Sequence, residues 1–212
     1  MFVRMHHGVA ADSRRGASRI LACALAGAVC MLAAAPRAAH AQPGPAQNLV
    51  QKPQPAISAV RLERSIHDLV NRERRAQGLK PLAWDGSLAA VARGHSKDMA
   101  KRNYFSHESP EGDGFERRYR KGRYRCALRT GNVIHLGVEN LARGNLYASV
   151  TTLNGVKYYD WNSEQRIAYA TVAGWMASPG HRANILTAYW RHEGIGLIIG
   201  RGQEVYITQN FC

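Results

Sequence analysis

The chain has 212 residues, with 29 Lys and Arg against 15 Asp and Glu, for a formal net charge of +14. That length suits one domain with a proper core, and the basic excess favours anionic partners such as envelope polymers and lipid headgroups. No internal repeat and no glycine-rich phosphate loop occurs, which excludes repeat arrays and the phosphate-loop nucleotide binders.

Arg4, Arg14, Arg15 and Arg19 lead into an apolar run from Ile20 to Ala35, and Ala39-His40-Ala41 follows Pro36 and Arg37. Basic, apolar and small-x-small segments in that order predict a secretory signal, residues 1–41, cleaved after Ala41. The apolar run is 16 residues long, short of the roughly 20 that a permanent spanning helix needs. Gly16 and Ala17 after the arginine pair favour the ordinary secretory route over the twin-arginine one. Neither Cys23 nor Cys30 ends the run as a lipidated cysteine would. Cleavage removes 41 residues with five basic and one acidic side chain, leaving 171 residues at net charge +10. The expected destination is the periplasm or the exterior.

Cleavage also removes two of the four cysteines. Cys126 and Cys212 remain, and an even pair in an oxidising compartment predicts a disulfide. Two free thiols or a metal pair are the alternatives, although two cysteines alone make a poor metal site.

Residues 42–57 contain several prolines with Gly, Gln and Ala and read as a disordered lead-in to a domain over 58–212. A first helix starts near Ser58, with Val60, Leu62, Ile66, Leu69 and Val70 on one stripe, and ends at Gln77-Gly78. An extended link through Leu82 and Trp84 leads to a second helix, Ser87 to Arg102, with Leu88, Val91, Ala92, His95 and Met99 on one face. After a loop to Gly114 comes a short basic helix through Phe115 and Tyr119. Val133 to Ala142 reads as a strand or a strand-like turn, since Val133, Ile134, Leu136 and Val138 intermix with Gly131 and Gly137. Gly144 to Ser163 reads as a hairpin turning at Asn154-Gly155. A helix over 163–177 stops at Ser178-Pro179-Gly180, and a helical turn follows over His181 to Leu186. Two strands close the chain, Gly194 to Ile199 and Glu204 to Phe211, linked tightly through residues 200–203.

Four segments, in order, resemble the CAP superfamily of cysteine-rich secretory, antigen-5 and pathogenesis-related-1 proteins in its short bacterial form. They are Leu69-Val70-Asn71-Arg72-Glu73-Arg74; His95-Ser96-Lys97-Asp98-Met99-Ala100 with Phe105-Ser106-His107-Glu108-Ser109-Pro110; Glu139-Asn140-Leu141-Ala142; and Gly174-Trp175-Met176 with Ser178-Pro179-Gly180-His181-Arg182-Ala183-Asn184-Ile185-Leu186 and Gly194-Ile195-Gly196. The resemblance implies an α+β fold, an α/β/α sandwich with a central, mainly antiparallel sheet between helical layers. It also implies a surface cavity lined by His107, His181 and Glu139. Two departures stand out: Val138 replaces the family's usual Gly before the glutamate, and the second family glutamate falls near Ser178. The segment 144–163 is longer than its counterpart in short bacterial members and is expected to reshape one rim of the cavity.

Two neutral imidazoles and a carboxylate can hold zinc or another divalent ion with positions left for water, or form a hydrogen-bonded polar cluster instead. His135, four residues before Glu139, joins the cavity if that stretch is extended. His95 reads as a hydrogen-bonded core histidine, while His67 and His192 have no context suggesting chemistry. His107-Glu108 and His192-Glu193 lack the second histidine of a zinc-protease helix, and no nucleophile elbow occurs. The Arg117–Arg125 cluster, with Tyr119 and Tyr124, reads as a solvated basic face able to grip an anionic polymer. The expected function is binding of a lipid, a sterol-like molecule or an anionic cell-envelope component, by a monomer with no specific nucleic-acid partner and no required cofactor. A metal-dependent hydrolase with a zinc-activated water is the alternative, and a structural envelope protein with a vestigial cavity the third reading.

Overall fold

The computed structural model describes residues 50–212. The signal read over residues 1–41, and the lead-in as far as residue 49, lie outside the described residues. Residues 50–57 form no helix or strand, yet the Lys52 carbonyl accepts from Trp161 Nε1 at 2.9 Å. That end of the predicted disordered lead-in is laid against the domain.

Helix α1, Ala59–Ala76, starts where Ser58 Oγ accepts from the Arg61 amide, satisfying one of the amides that a helix start leaves unpaired. Leu62, Ile66 and Val70 are fully buried along its inner stripe, while Val60, two residues before Leu62 and so turned off that stripe, is 63% exposed; the chain leaves the helix through Gly78 at φ +70°. The two-residue strand β1, Ala83–Trp84, leads into α2, Gly86–Arg102. There Asp85 Oδ1 caps the amides of Ser87 and Leu88 at 2.8 and 3.0 Å. Helix α3 is Phe115–Lys121. Strands β2, Leu128–Thr130, and β3, Val133–His135, pair only with each other, as do β5, Tyr147–Leu153, and β6, Val156–Trp161. Between these hairpins runs β4, Val138–Asn145, and after them come α4, Glu164–Ala177, and α5, Pro179–Leu186. Strands β7, His192–Ile199, and β8, Glu204–Phe211, close the chain.

The stretch Val133 to Ala142, read as a strand or strand-like turn, is two strands, β3 and the start of β4. Gly137, at φ +105°, sits between them, and a Cβ there would lie 2.8 Å from the Phe211 carbonyl oxygen and from the Tyr119 ring. Only glycine accepts both the conformation and the contact.

The main sheet has the order β1-β7-β8-β4, antiparallel except for β1 beside β7. Strand alternation divides its faces. Ile195, Leu197, Val205 and Ile207 join Leu62, Ile66, Val172, Trp175 and Ile185 in the main core, so α1, α4 and α5 form one layer. On the other face, Gly194 and Gly196 meet α2 backbone to backbone: a Cβ would fall 2.1 Å from the Ala89 amide nitrogen or 2.0 Å from that of Arg93. The two glycines therefore admit α2 as the opposite layer, completing the expected α/β/α sandwich. The open edge of β7 is closed by buried Glu63 of α1, which accepts from the Leu197 amide at 3.1 Å and from two nitrogens of Arg93 at 2.7 Å. A small second core of Leu88, Tyr119, Cys126 and Cys212 surrounds the Cys126–Cys212 disulfide.

Candidate functional site

Glu139 stands on β4 opposite Asn210, which in turn faces Gly194. Its side chain therefore projects on the α2 side of the sheet, where it is almost wholly buried. A carboxylate in such a place needs partners. Oε2 accepts from Arg118 Nη2 at 2.6 Å, and Oε1 lies 3.0 Å from His107 Nδ1. His95 Nε2 is 3.9 Å from the same oxygen and hydrogen-bonds the Ser106 carbonyl at 3.0 Å. Arg118 also donates to the carbonyls of His107 and Asp113 at 2.9 and 2.6 Å. The loop between α2 and α3 is thus clasped by His95 on one side and Arg118 on the other.

The clasp leaves the His107 side chain 55% exposed. It lines a groove of about 520 Å³ with Phe115, Arg117, Arg120, Val138 and Glu139. Val138, in the place of the family's glycine, supplies an apolar wall. His181 lines a different cavity, of about 440 Å³, with Phe105, Tyr147, Trp175 and Ser178. Burial lowers its imidazole pKa, and the charge of His107 acts in the same direction. The two histidines are near enough to sense one another but open onto separate pockets. Tyr147 places the inserted β5–β6 hairpin on the rim of the His181 cavity.

His135 is not part of this group. Its ring stacks on Tyr189 with centroids 4.0 Å apart, and Nε2 lies 2.6 Å from Thr130 Oγ1. The alternation that would align it with Glu139 stops at Gly137. His95 is the core histidine expected: burial lowers its pKa first, with Glu139 opposing and Arg118 adding to the effect.

The opposite face of the sheet holds a polar chain not singled out from the sequence. His67 Nδ1 on α1 lies 2.6 Å from Glu193 Oε1 on β7, and Gln209 of β8 donates to Glu193 Oε2 at 2.5 Å. Asn140 of β4 donates to Gln209 Oε1 at 3.0 Å and to the His181 carbonyl at 3.2 Å, while Asn184 of α5 donates to Asn140 Oδ1 at 2.8 Å. His67 Nε2 faces the Asn71 amide, a donor, at 3.2 Å, which leaves the ring proton on Nδ1 for Glu193. One sequence signal could have exposed this chain. Alternation along β8 puts Gln209 on the same face as Val205 and Ile207, and a core amide requires partners.

A divalent ion would need His107, His181 and Glu139 to converge with free lone pairs. Among the described residues, no group of three or more His, Cys, Asp or Glu side chains is placed to hold a metal ion. Both Glu139 oxygens are engaged, and the Arg118 guanidinium already supplies the positive charge beside the carboxylate. Of the two arrangements the sequence left open, His107 and Glu139 form the hydrogen-bonded polar cluster, and the engaged carboxylate does not fit a resident metal ion. Nor is any helix among the described residues long and apolar enough to cross a membrane.

Comparison with known proteins places this architecture. The family model described as the cysteine-rich secretory protein family, CAP, matches residues 67–211. Two Bacillus subtilis proteins are similar: the uncharacterized protein YkwD, 34% identical over 64% of this chain and 42% of its own length, and the uncharacterized membrane protein YlbC, 32% identical over 70% of this chain and 34% of its own. The chain therefore spans less than half the length of these curated relatives. An extracellular protein containing an SCP domain from Bacillus anthracis superposes with a TM-score of 0.53 at 31% identity, over 72% of this chain and 40% of that one. An outer surface protein of Borrelia burgdorferi shares the fold, with a TM-score of 0.54 at 17% identity over 73% of this chain and 94% of that one. The four motifs, the sandwich they build and the matched family model agree: the chain belongs to the cysteine-rich secretory protein family, the CAP superfamily.

Proposed function

We propose that this is an exported CAP-domain protein that binds a cell-envelope ligand, of the lipid or sterol-like class, in the His107 groove. The observation that carries the reading is the lining of that groove. An exposed imidazole, Arg117 and Arg120, the carboxylates Glu108 and Glu116, and the apolar surfaces of Phe115 and Val138 share about 520 Å³ of open space, a mixture suited to an amphipathic molecule with a polar head. The carboxylate at its base is neutralised by Arg118, which favours holding a ligand over activating water. Export is supported by the Cys126–Cys212 disulfide, which persists in oxidising compartments. The Bacillus anthracis relative is itself described as extracellular.

The test is to expose the secreted protein to a total envelope extract, recover the complex and identify bound molecules by mass spectrometry, beside His107→Ala and Phe115→Ala. A defined lipid or sterol-like molecule captured by the parent and lost in both variants is the expected result. No captured molecule, or equal capture by all three proteins, rejects the groove as the site. Stoichiometric zinc in the purified protein, lost in His107→Ala and His181→Ala, would replace this reading with the hydrolytic one.

A further inference from the structure

A second groove, of about 600 Å³, is lined by Arg120, Arg123, Arg125, Tyr124, Ile134 and Leu136. It differs from the His107 groove in what is left unsatisfied around it. Arg117 and Lys121 pair with Asp113, and Arg118 with Glu139. Arg120, Arg123, Arg125 and Arg129 are exposed and, among the described residues, enter no ion pair. Glu116 is the carboxylate in the lining.

Apolar side chains lie among these cations. Val133, Ile134 and Leu136 are 55%, 52% and 47% exposed. They belong to the β2–β3 hairpin and the residues after it, and that hairpin pairs with no other strand. Arg129 of β2 stands directly opposite Ile134 of β3. The base of the hairpin is fixed: Cys126 is bonded to Cys212, the Tyr119 and Tyr124 rings meet edge-on at 5.4 Å, and Tyr124 donates to Asp85 at 3.0 Å. A hairpin that pairs with no other strand, its base fixed, thus presents Ile134 and Leu136 beside uncompensated arginines.

We propose that this face docks on the surface of an anionic lipid bilayer. Uncompensated arginines alone would suit any polyanion. Ile134 and Leu136, side by side in this groove, gain free energy only from a partner with an apolar interior beneath its charge, and a bilayer with anionic headgroups is such a partner. The arginines would lie among the phosphates while Ile134 and Leu136 enter the headgroup–acyl boundary. This surface adjoins the envelope-ligand groove and shares Glu116 and Arg120 with it, but Arg123, Arg125, Ile134 and Leu136 lie outside that groove.

The experiment is co-sedimentation of the secreted protein with phosphatidylcholine vesicles, with and without phosphatidylglycerol, at low and physiological salt. Binding to the anionic vesicles alone, weakened by salt, is expected. Arg123→Gln with Arg125→Gln should weaken it roughly twenty-five-fold, from about fivefold for each cation. Ile134→Ser with Leu136→Ser should weaken it about tenfold at unchanged charge. Both double variants alter exposed residues, and unchanged thermal unfolding confirms their fold. Equal affinity for neutral and anionic vesicles, or none for either, overturns the proposal. So does retention of parental binding by the serine variant, which would mark the face as a polyanion site. His107→Ala should bind vesicles as the parent does, so failure of the groove reading and failure of this one are told apart.

Discussion

Arg118 Nη2 lies 2.6 Å from Glu139 Oε2, joining α3 to β4 through a pair whose side chains are 11% and 1% exposed. The same guanidinium holds two carbonyls of the loop that presents His107. Removing the arginine alone leaves a buried carboxylate without its counter-charge. Arg118→Met should therefore cost about 3–5 kcal/mol in urea unfolding. Combining it with Glu139→Gln should restore much of that loss. An Arg118→Met protein as stable as the parent would reject the clamp.

The contact of α2 with the sheet gives a sharper steric prediction. At Gly194 and Gly196 an added methyl meets helix backbone, which cannot move aside as a flexible side chain can. Gly196→Ala should destabilise by about 3 kcal/mol or more. Gly174, inside α4, has no atom within 4 Å of an added Cβ. There, Gly174→Ala should stabilise by about 0.5–1 kcal/mol through helix propensity. Thermal melts of the two variants, displaced in opposite directions, provide the check.

Acid should weaken the fold in two windows. Burial lowers the imidazole pKa of His95 and of His181, so below about pH 6.5 the unfolded chain binds protons that the native chain refuses. Stability therefore falls as pH drops through that value towards the lower native pKa. His95→Asn should flatten the dependence of unfolding free energy on pH between about 8 and about 5. The second window belongs to carboxylates. The hydrogen bond from Arg102 holds Glu111 down to about 2, and partners from Lys121 and Arg61 lower Asp113 and Glu164. Their contribution is complete above the ordinary carboxylate range and is lost as pH falls through the native values.

Cys126 and Cys212 close a loop across 86 residues of sequence separation. Reduction, or Cys126→Ser with Cys212→Ser, should lower unfolding stability by about 2–4 kcal/mol. Hydrogen exchange should quicken first in β2 and β3, whose base the bridge secures. Equal protection of the hairpin with and without reductant would show that the bridge does not hold it.

Helix starts, read near Ser58, Ser87 and residue 163, were legible because capping is local: Ser58, Asp85 and Ser163 accept amides of the first turns of α1, α2 and α4. The closing strands were legible through alternation, and the disulfide through the cysteine count. The break at Gly137 was not, since its cause is a contact with Phe211 and Tyr119. That break also separates His135 from Glu139. Arg118 read as one cation in a basic run because nothing local marks it as the partner of a carboxylate 21 residues away. His67 lacked context for the same reason: Glu193 is 126 residues distant, and only the parallel entry of β1 beside β7 brings α1 over that strand.

The buried chain from His67 through Glu193, Gln209 and Asn140 to Asn184 has a consequence for how the protein finds its fold. Apolar residues on neighbouring strands are nearly interchangeable, so a core of Ile, Leu and Val alone tolerates misaligned pairing. Amides and carboxylates do not. A shift of β8 by two residues would keep its apolar side chains on the core face yet carry Gln209 away from Glu193 and Asn140, at about 1–3 kcal/mol for each group left unsatisfied. The chain thus acts as a key cut across three strands, admitting one alignment during folding and penalising its near neighbours.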